Sequence, residues 1–89
     1  MLRVLIFATW YLPGFKAGGP IRTIANMVDR LGHEFDFRIV TADRDFGDER
    51  PYSTVSVNEW NTVGNAQVYY VSPKRRTVRH LARLLRETP

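Results

Sequence analysis

The sequence RVLIFAT at residues 3–9 is a nearly continuous apolar run, and the loop after it ends in Gly18-Gly19-Pro20. Such a run, with β-branched and aromatic members, is typical of a parallel strand buried on both faces, so we expect a central strand here. Pro20 suits the first turn of a helix. The order strand, glycine loop, helix aims backbone N–H groups at the space beyond the strand, and a helix N-terminus attracts anions. The segment predicts an anion site, although paired glycines before a helix also occur as plain turn residues.

The residues after Gly19 carry the periodic pattern of an amphipathic helix. Apolar side chains recur at three- and four-residue spacing and form one stripe, at Ile21, Ile24, Ala25, Val28 and Leu31. Gly32 follows the stripe directly, so we expect it to end the helix in the left-handed conformation open to glycine. Residues 36–41 follow as a second predicted strand, which completes a βαβ unit.

The remainder of the chain adds a long polar connection, a hairpin and a second helix. Residues 42–64 are mostly polar, and residues 57–61 and 67–71 flank the turn Gly64-Asn65 as a predicted hairpin. Residues 76–87 have the pattern of an amphipathic helix. This order predicts an α/β fold with a mainly parallel sheet and flanking helices, the first half of a doubly wound domain. Two helices are few for a parallel sheet, so we expect the chain to be the N-terminal part of a longer protein.

Length and charge narrow the class of protein. The chain has 89 residues, no cysteine and a net charge of +4, so it can form one small domain without disulfides or thiolate metal sites. Residues 1–73 carry a net charge of −1 and residues 74–89 one of +5. A basic excess confined to one segment argues against a nucleic-acid binder. No segment has the length of a membrane span or the pattern of a secretory signal, so we expect a soluble, cytoplasmic protein.

Two familiar nucleotide motifs are excluded by spacing. The dinucleotide fingerprint needs its glycines in the tight turn directly after the first strand, whereas Gly18 lies well beyond Thr9. Gly14 and Gly19 have the spacing of the first two glycines of a triphosphate-binding loop. Pro20-Ile21, however, stands where that loop needs its lysine and its hydroxyl residue.

The residues around the glycine pair resemble a known family. Trp10-Tyr11-Leu12-Pro13-Gly14 precedes Gly18-Gly19-Pro20, the helix ends in Leu31-Gly32-His33-Glu34, and the next strand ends in Val40-Thr41-Ala42. In order and spacing these segments resemble the N-terminal domain of GT-B glycosyltransferases of family 4. The resemblance covers nearly the whole chain and is most specific in its first half.

That resemblance implies a Rossmann-like domain, with residues 1–89 as an incomplete, acceptor-side portion. The family's second domain, which holds most of a nucleotide-sugar donor and carries paired glutamates, has no counterpart in this sequence. The implied activity is transfer of a sugar from the donor to a glycan or lipid-linked acceptor, usually with retention of configuration and without metal or cofactor. Gly18 and Gly19 inherit the role of binding the donor diphosphate. No catalytic residue falls within these 89 residues, so we expect them to be inactive alone.

Charged residues near the glycine pair are further candidates. Lys16 and Arg22 flank the loop and are candidates for contact with an anion or the acceptor; the alternative is that both are solvated. His33 follows a glycine at a helix end, and His80 lies on a basic helix, so we assign neither a role in sugar transfer.

Polar and aromatic residues elsewhere have a functional and a structural interpretation. Asp43 and Asp45 follow the second strand, where a dinucleotide fold places its ribose-binding acid, but capping of the loop is the preferred interpretation. Trp60, Tyr69 and Tyr70 are capable of stacking on sugars, but packing within the hairpin is preferred.

The second predicted helix carries a row of arginines, at Arg75, Arg79, Arg83 and Arg86. They are candidates for contact with anionic lipid at the inner face of the membrane. The preferred alternative is a solvated face on a helix packed against the core. A rival to the enzyme interpretation is a small non-catalytic α/β module that binds a phosphate-bearing ligand or a protein partner through this helix and an open sheet edge.

Overall fold

The computed structural model describes residues 2–73 together with residues 79, 82, 83 and 86. These residues contain a four-stranded mixed sheet and one helix of defined extent, so the α/β class is confirmed. The elements in chain order are β1 (Leu2–Phe7), α1 (Gly19–Leu31), β2 (Phe35–Ala42), β3 (Trp60–Val63) and β4 (Ala66–Val71).

The strand order across the sheet is β1-β2-β4-β3. β2 pairs in parallel with both β1 and β4, and β3 pairs antiparallel with β4, so the predicted mainly parallel sheet is confirmed. The prediction that the first strand is central is wrong for the described sheet, where β1 lies at an edge and β2 lies inside. The expected burial of this strand on both faces is also wrong for the described residues, because Arg3 to Ile6 are half-buried and Leu2 and Phe7 are exposed. Apolar composition by itself therefore determines neither the place of a strand in the sheet nor the cover of its faces.

α1 packs its apolar stripe on one face of the sheet. Ile21 and Val28 are buried on the helix, and Ile24, Ala25 and Leu31 are half-buried beside them. The main core combines this stripe with inward residues of all four strands and of the loop after β1. Its fully buried members are Tyr11, Val28, Phe37, Ile39, Ala66, Val68 and Tyr70.

Gly32 ends α1 in a way that differs from the prediction. Its backbone is right-handed, with φ −64° and ψ −14°, so it is not a left-handed cap. A Cβ at Gly32 would overlap the side chain of Asn65 and come within 2.6 Å of the Val28 carbonyl oxygen. Glycine is therefore required here because the helix end lies directly against the β3–β4 turn.

The hairpin forms as predicted but starts later along the chain. Asn58 has a positive φ of 60°, and its side chain exchanges hydrogen bonds with Ser72, so the residues just before Trp60 form a turn. Trp60 and Tyr69 pack edge to face across the hairpin with ring centroids 5.3 Å apart. Tyr70 is fully buried in the core. Packing, and not an exposed sugar platform, is confirmed for these three aromatic residues.

The basic C-terminal segment is described only in part. Arg79, Ala82, Arg83 and Arg86 are helical, and the three arginines are exposed while Ala82 is half-buried. Arg75 and His80 lie outside the described residues. Within the described part of the chain, no helix is both long and apolar enough to cross a bilayer.

Candidate functional site

Buried tyrosines fix the loop between β1 and α1. Tyr11 is inserted into the core, and the Tyr70 hydroxyl donates to the carbonyl oxygen of Leu12. The Tyr52 hydroxyl donates to the Tyr11 carbonyl at 3.4 Å, and the Gly14 N–H donates to the same carbonyl at 3.0 Å. The loop that leads to the glycine pair is thereby anchored on the sheet.

Asp45 joins this loop to the loop after β2. Its carboxylate is 5 % exposed and accepts the backbone N–H groups of Phe15 at 3.1 Å, Lys16 at 3.3 Å and Phe46 at 2.8 Å. Burial opposes the charged form, but the three amide hydrogen bonds outweigh it and hold the pKa of Asp45 below its usual value. Loop capping by Asp45 is therefore confirmed.

Asp43 is also a structural residue. It is buried, and Arg44 donates to its carboxylate from Nε at 2.8 Å. Its backbone carbonyl accepts the N–H of Tyr52 at 2.8 Å. Both aspartates that follow β2 are thus engaged in holding loops together.

Gly18 and Gly19 have different roles, because Gly18 adopts a backbone conformation that favours glycine and Gly19 has an N–H donor that is free within the described part of the chain. Gly18 precedes α1 with a φ of 74°, which favours glycine, and its N–H donates to the Phe15 carbonyl at 3.1 Å. Pro20 has no N–H, and the Arg22 N–H donates to the Gly18 carbonyl at 3.4 Å. Among the described residues, no acceptor meets the N–H groups of Gly19 and Ile21. These two amides are the available donors at the helix start.

Ile21 is the donor that sequence reasoning missed. Its buried side chain marks it as a core residue, yet its backbone N–H lies at the first turn of α1, where helices leave N–H groups unsatisfied. The sequence contains the signal for this donor. Ile21 is the third residue of a helix that begins with Gly19 and Pro20, and the first turn of a helix leaves its N–H groups without an acceptor inside the helix.

The space next to the glycine pair is open. A Cβ at Gly18 or at Gly19 would meet no heavy atom within 4 Å. A groove runs from this point along α1, with Leu12 and Phe15 on its apolar side and Arg22 and Asn26 among its polar residues. The groove beside the glycine pair is therefore open at the positions where a Cβ on either glycine would lie.

The two flanking cations have different surroundings. Lys16 forms an exposed ion pair with Asp48, with 2.5 Å between Nζ and the carboxylate oxygen, and this hydrogen bond raises the pKa of Lys16. Arg22 lines the groove and has no ion-pair partner among the described residues. Arg22 is thus the better placed of the two to meet an anion at the helix start.

A second cavity lies at the carboxyl ends of the parallel strands. Phe7, Thr9, Ala42 and Val71 are among its lining residues, and Thr41 lines it from β2. Thr41 is only 4 % exposed, and its hydroxyl has no hydrogen-bond partner among the described residues. Ligands of open α/β sheets bind at this end of the strands, so the cavity and the glycine pair lie on the side expected for a site.

The buried tyrosines predict a loss of stability in alkali. Burial first, and then three nearby aspartates, raise the pKa of Tyr52 to about 12; burial also raises the pKa of Tyr11 and Tyr70. These phenols ionise near pH 10 in an unfolded chain, so above that pH the folded chain binds more protons than the unfolded one. The free energy of unfolding is therefore fully retained below about pH 10 and falls as the pH rises toward about 12.

Urea unfolding followed by circular dichroism between about pH 8 and about pH 12 measures this fall. Tyr52→Phe removes one of the titrating phenols, so the variant should lose stability less steeply than the natural chain over the same range. Parallel curves for the two proteins would show that Tyr52 does not carry the effect.

Comparison with known proteins found no relative of this chain. No protein-family model, no curated protein and no solved structure gives a significant match to the chain.

Proposed function

We propose that residues 1–89 form the N-terminal, acceptor-side part of a GT-B glycosyltransferase of the family 4 type. The proposed reaction moves a sugar from a nucleotide-sugar donor to a glycan or lipid-linked acceptor with retention of configuration. The observation that supports it best is the open helix start at Gly18-Gly19, with the unpaired N–H groups of Gly19 and Ile21 next to it. The sequence resemblance around that loop supplies the donor class.

The proposed role of this site is to stabilise the leaving diphosphate. The bond between the sugar's anomeric carbon and the diphosphate oxygen breaks, and the diphosphate retains the electron pair. The acceptor hydroxyl forms the new bond to that carbon and gives up its proton to the solvent. Negative charge therefore grows on the diphosphate, where two fixed backbone N–H donors and the positive end of α1 stabilise it. Arg22 adds a positive charge at the edge of the same groove.

The described residues are proposed to contact only one side of the donor. No described residue is proposed to bind the base or the ribose, which the resemblance assigns to a second α/β domain. Residues 1–89 alone are accordingly proposed to be inactive in sugar transfer. A peripheral membrane contact through the arginine row is a separate proposal.

The reading frame downstream of Pro89 and a transfer assay test this proposal together. We expect a continuation into a second α/β domain with paired glutamates, and sugar transfer by the longer protein from a nucleotide-sugar donor. The 89-residue chain, assayed beside it, should transfer none. A stop codon at that point would favour a small module that binds a phosphate-bearing ligand, and transfer by the 89 residues alone would contradict the division of the site.

A further inference from the structure

A series of hydrogen bonds connects the buried Asp45 carboxylate to the start of α1. Asp45 Oδ2 accepts the Phe15 N–H at 3.1 Å. The Phe15 carbonyl accepts the Gly18 N–H at 3.1 Å, and the Gly18 carbonyl accepts the Arg22 N–H at 3.4 Å in the first turn of the helix. Phe15 and Gly18 are therefore each held through both their N–H and their carbonyl. These three hydrogen bonds, which end next to Gly19, are here called the loop-to-helix bonds.

The loop between β1 and α1 also lies close against Asp45. The Lys16 N–H donates to the same carboxylate at 3.3 Å, and a Cβ at Gly14 would come within 2.9 Å of Asp45 Oδ1. A buried carboxylate that loses its N–H donors costs free energy, because nothing replaces its lost hydration. The conformation of this loop is therefore fixed from the loop that follows β2.

Asp43, on the same loop and also buried, makes different contacts. Its carboxylate accepts from Arg44, from Nε at 2.8 Å and from Nη2 at 3.2 Å. Among the hydrogen bonds of the described residues, none joins the Asp43 carboxylate to the loop between β1 and α1. Of these two aspartates, only Asp45 is connected to the start of α1.

We propose that Asp45 is a positioning residue for diphosphate binding, and that it acts through the loop-to-helix bonds. By fixing Phe15 and Gly18, it holds the N–H groups of Gly19 and Ile21 in the arrangement that meets the phosphate oxygens. Displaced or tilted donors make weaker hydrogen bonds, and a loop ordered in advance loses less entropy on binding. This inference rests on the proposed function, because it gives Asp45 a role in the donor site as well as in the fold.

Asp45→Asn tests the role with a side chain of the same shape. The amide keeps only one of the two acceptor oxygens. The Phe46 N–H is the closest donor, at 2.8 Å from Oδ1, so the remaining oxygen should stay with Phe46 and the bond to the Phe15 N–H should be lost. We expect the affinity for UDP, measured by isothermal titration, to fall by at least about fivefold.

Asp43→Asn is the matched control. It is the same substitution at a buried position on the same loop, and it disturbs the contacts with Arg44 and not the loop-to-helix bonds. Urea unfolding should show a loss of stability in both variants. The Asp43→Asn variant should nevertheless bind UDP as the natural chain does.

Hydrogen exchange of the natural chain, followed by NMR, needs no variant. If opening of the bond between Phe15 and Asp45 abolishes binding, UDP at twenty times its Kd must slow exchange of the Phe15 amide by about twentyfold. The control is the Glu34 amide, which donates to the Leu31 carbonyl at the other end of α1. Its local opening leaves the site intact, so its exchange rate should not change. A purely structural Asp45 would not produce this difference.

Titration of the natural chain with UDP separates failure of this proposal from failure of the donor site. If the natural chain binds UDP, then equal binding by Asp45→Asn, or exchange at Phe15 that UDP does not slow, would overturn the positioning role and leave the donor site standing. Equal losses of affinity in Asp45→Asn and Asp43→Asn would also overturn it. A natural chain that binds no UDP would overturn both. If Asp45→Asn does not fold, the exchange measurement decides.

Discussion

Replacing Gly32 with alanine is expected to destabilise the folded chain by about 3 kcal/mol. The added methyl group would overlap the Asn65 side chain and crowd the Val28 carbonyl, so the end of α1 and the β3–β4 turn must separate. A chain of this length is stable by only about 5 to 10 kcal/mol. The variant should therefore unfold at a much lower urea concentration, with an unchanged slope of the transition.

Gly19→Ala is the matched control for this prediction. It is the same substitution at the other end of α1, but the added Cβ would meet nothing within 4 Å, and the backbone of Gly19 is not left-handed. The expected change in the free energy of unfolding is within about 0.5 kcal/mol. Equal stability of Gly32→Ala and the natural chain would show that the contact between helix end and turn is not a close one.

The same Gly19→Ala variant is expected to lose at least about tenfold in affinity for a nucleoside diphosphate while it keeps its fold. Its Cβ would project into the open space beside the free amides of Gly19 and Ile21. The phosphate would then be held away from these donors, and hydrogen bonds weaken steeply as they lengthen and bend. Isothermal titration with UDP, GDP, ADP and pyrophosphate measures the loss.

A pair of arginine variants separates local from general charge effects in that titration. Arg22→Ala removes the cation in the groove and should weaken diphosphate binding and reduce its salt dependence. Arg30→Ala removes a cation from the last turn of the same helix and should leave both unchanged. Equal losses in the two variants would indicate attraction by net charge alone.

The sequence allowed the local elements and the loop contacts to be predicted because both depend on neighbouring residues. The apolar stripe from Ile21 to Leu31 determines the buried face of α1. An aspartate that follows a strand commonly accepts hydrogen bonds from backbone N–H groups of the next loop. The Asp45 contact with the amide of Phe46, the next residue, follows this rule. Its contact with the Phe15 amide, 30 residues away, does not.

The features that were missed depend on contacts between distant segments. The position of β1 at the sheet edge is set by strand order, and the conformation of Gly32 by Asn65, which lies far along the chain. The start of β3 is delayed by the hydrogen bonds between Asn58 and Ser72. The unpartnered hydroxyl of Thr41 is likewise invisible before its neighbours are known.

We propose that the helix start at Gly18-Gly19 binds a diphosphate through backbone N–H groups. An amide-resolved NMR titration of the 15N-labelled chain with UDP tests it most directly. We expect saturable shifts of the Gly19 and Ile21 amide signals, with smaller changes at Gly64 in the distant hairpin turn, and the same two signals should move with pyrophosphate. Signals of Gly19 and Ile21 that stay in place at saturating UDP would contradict it.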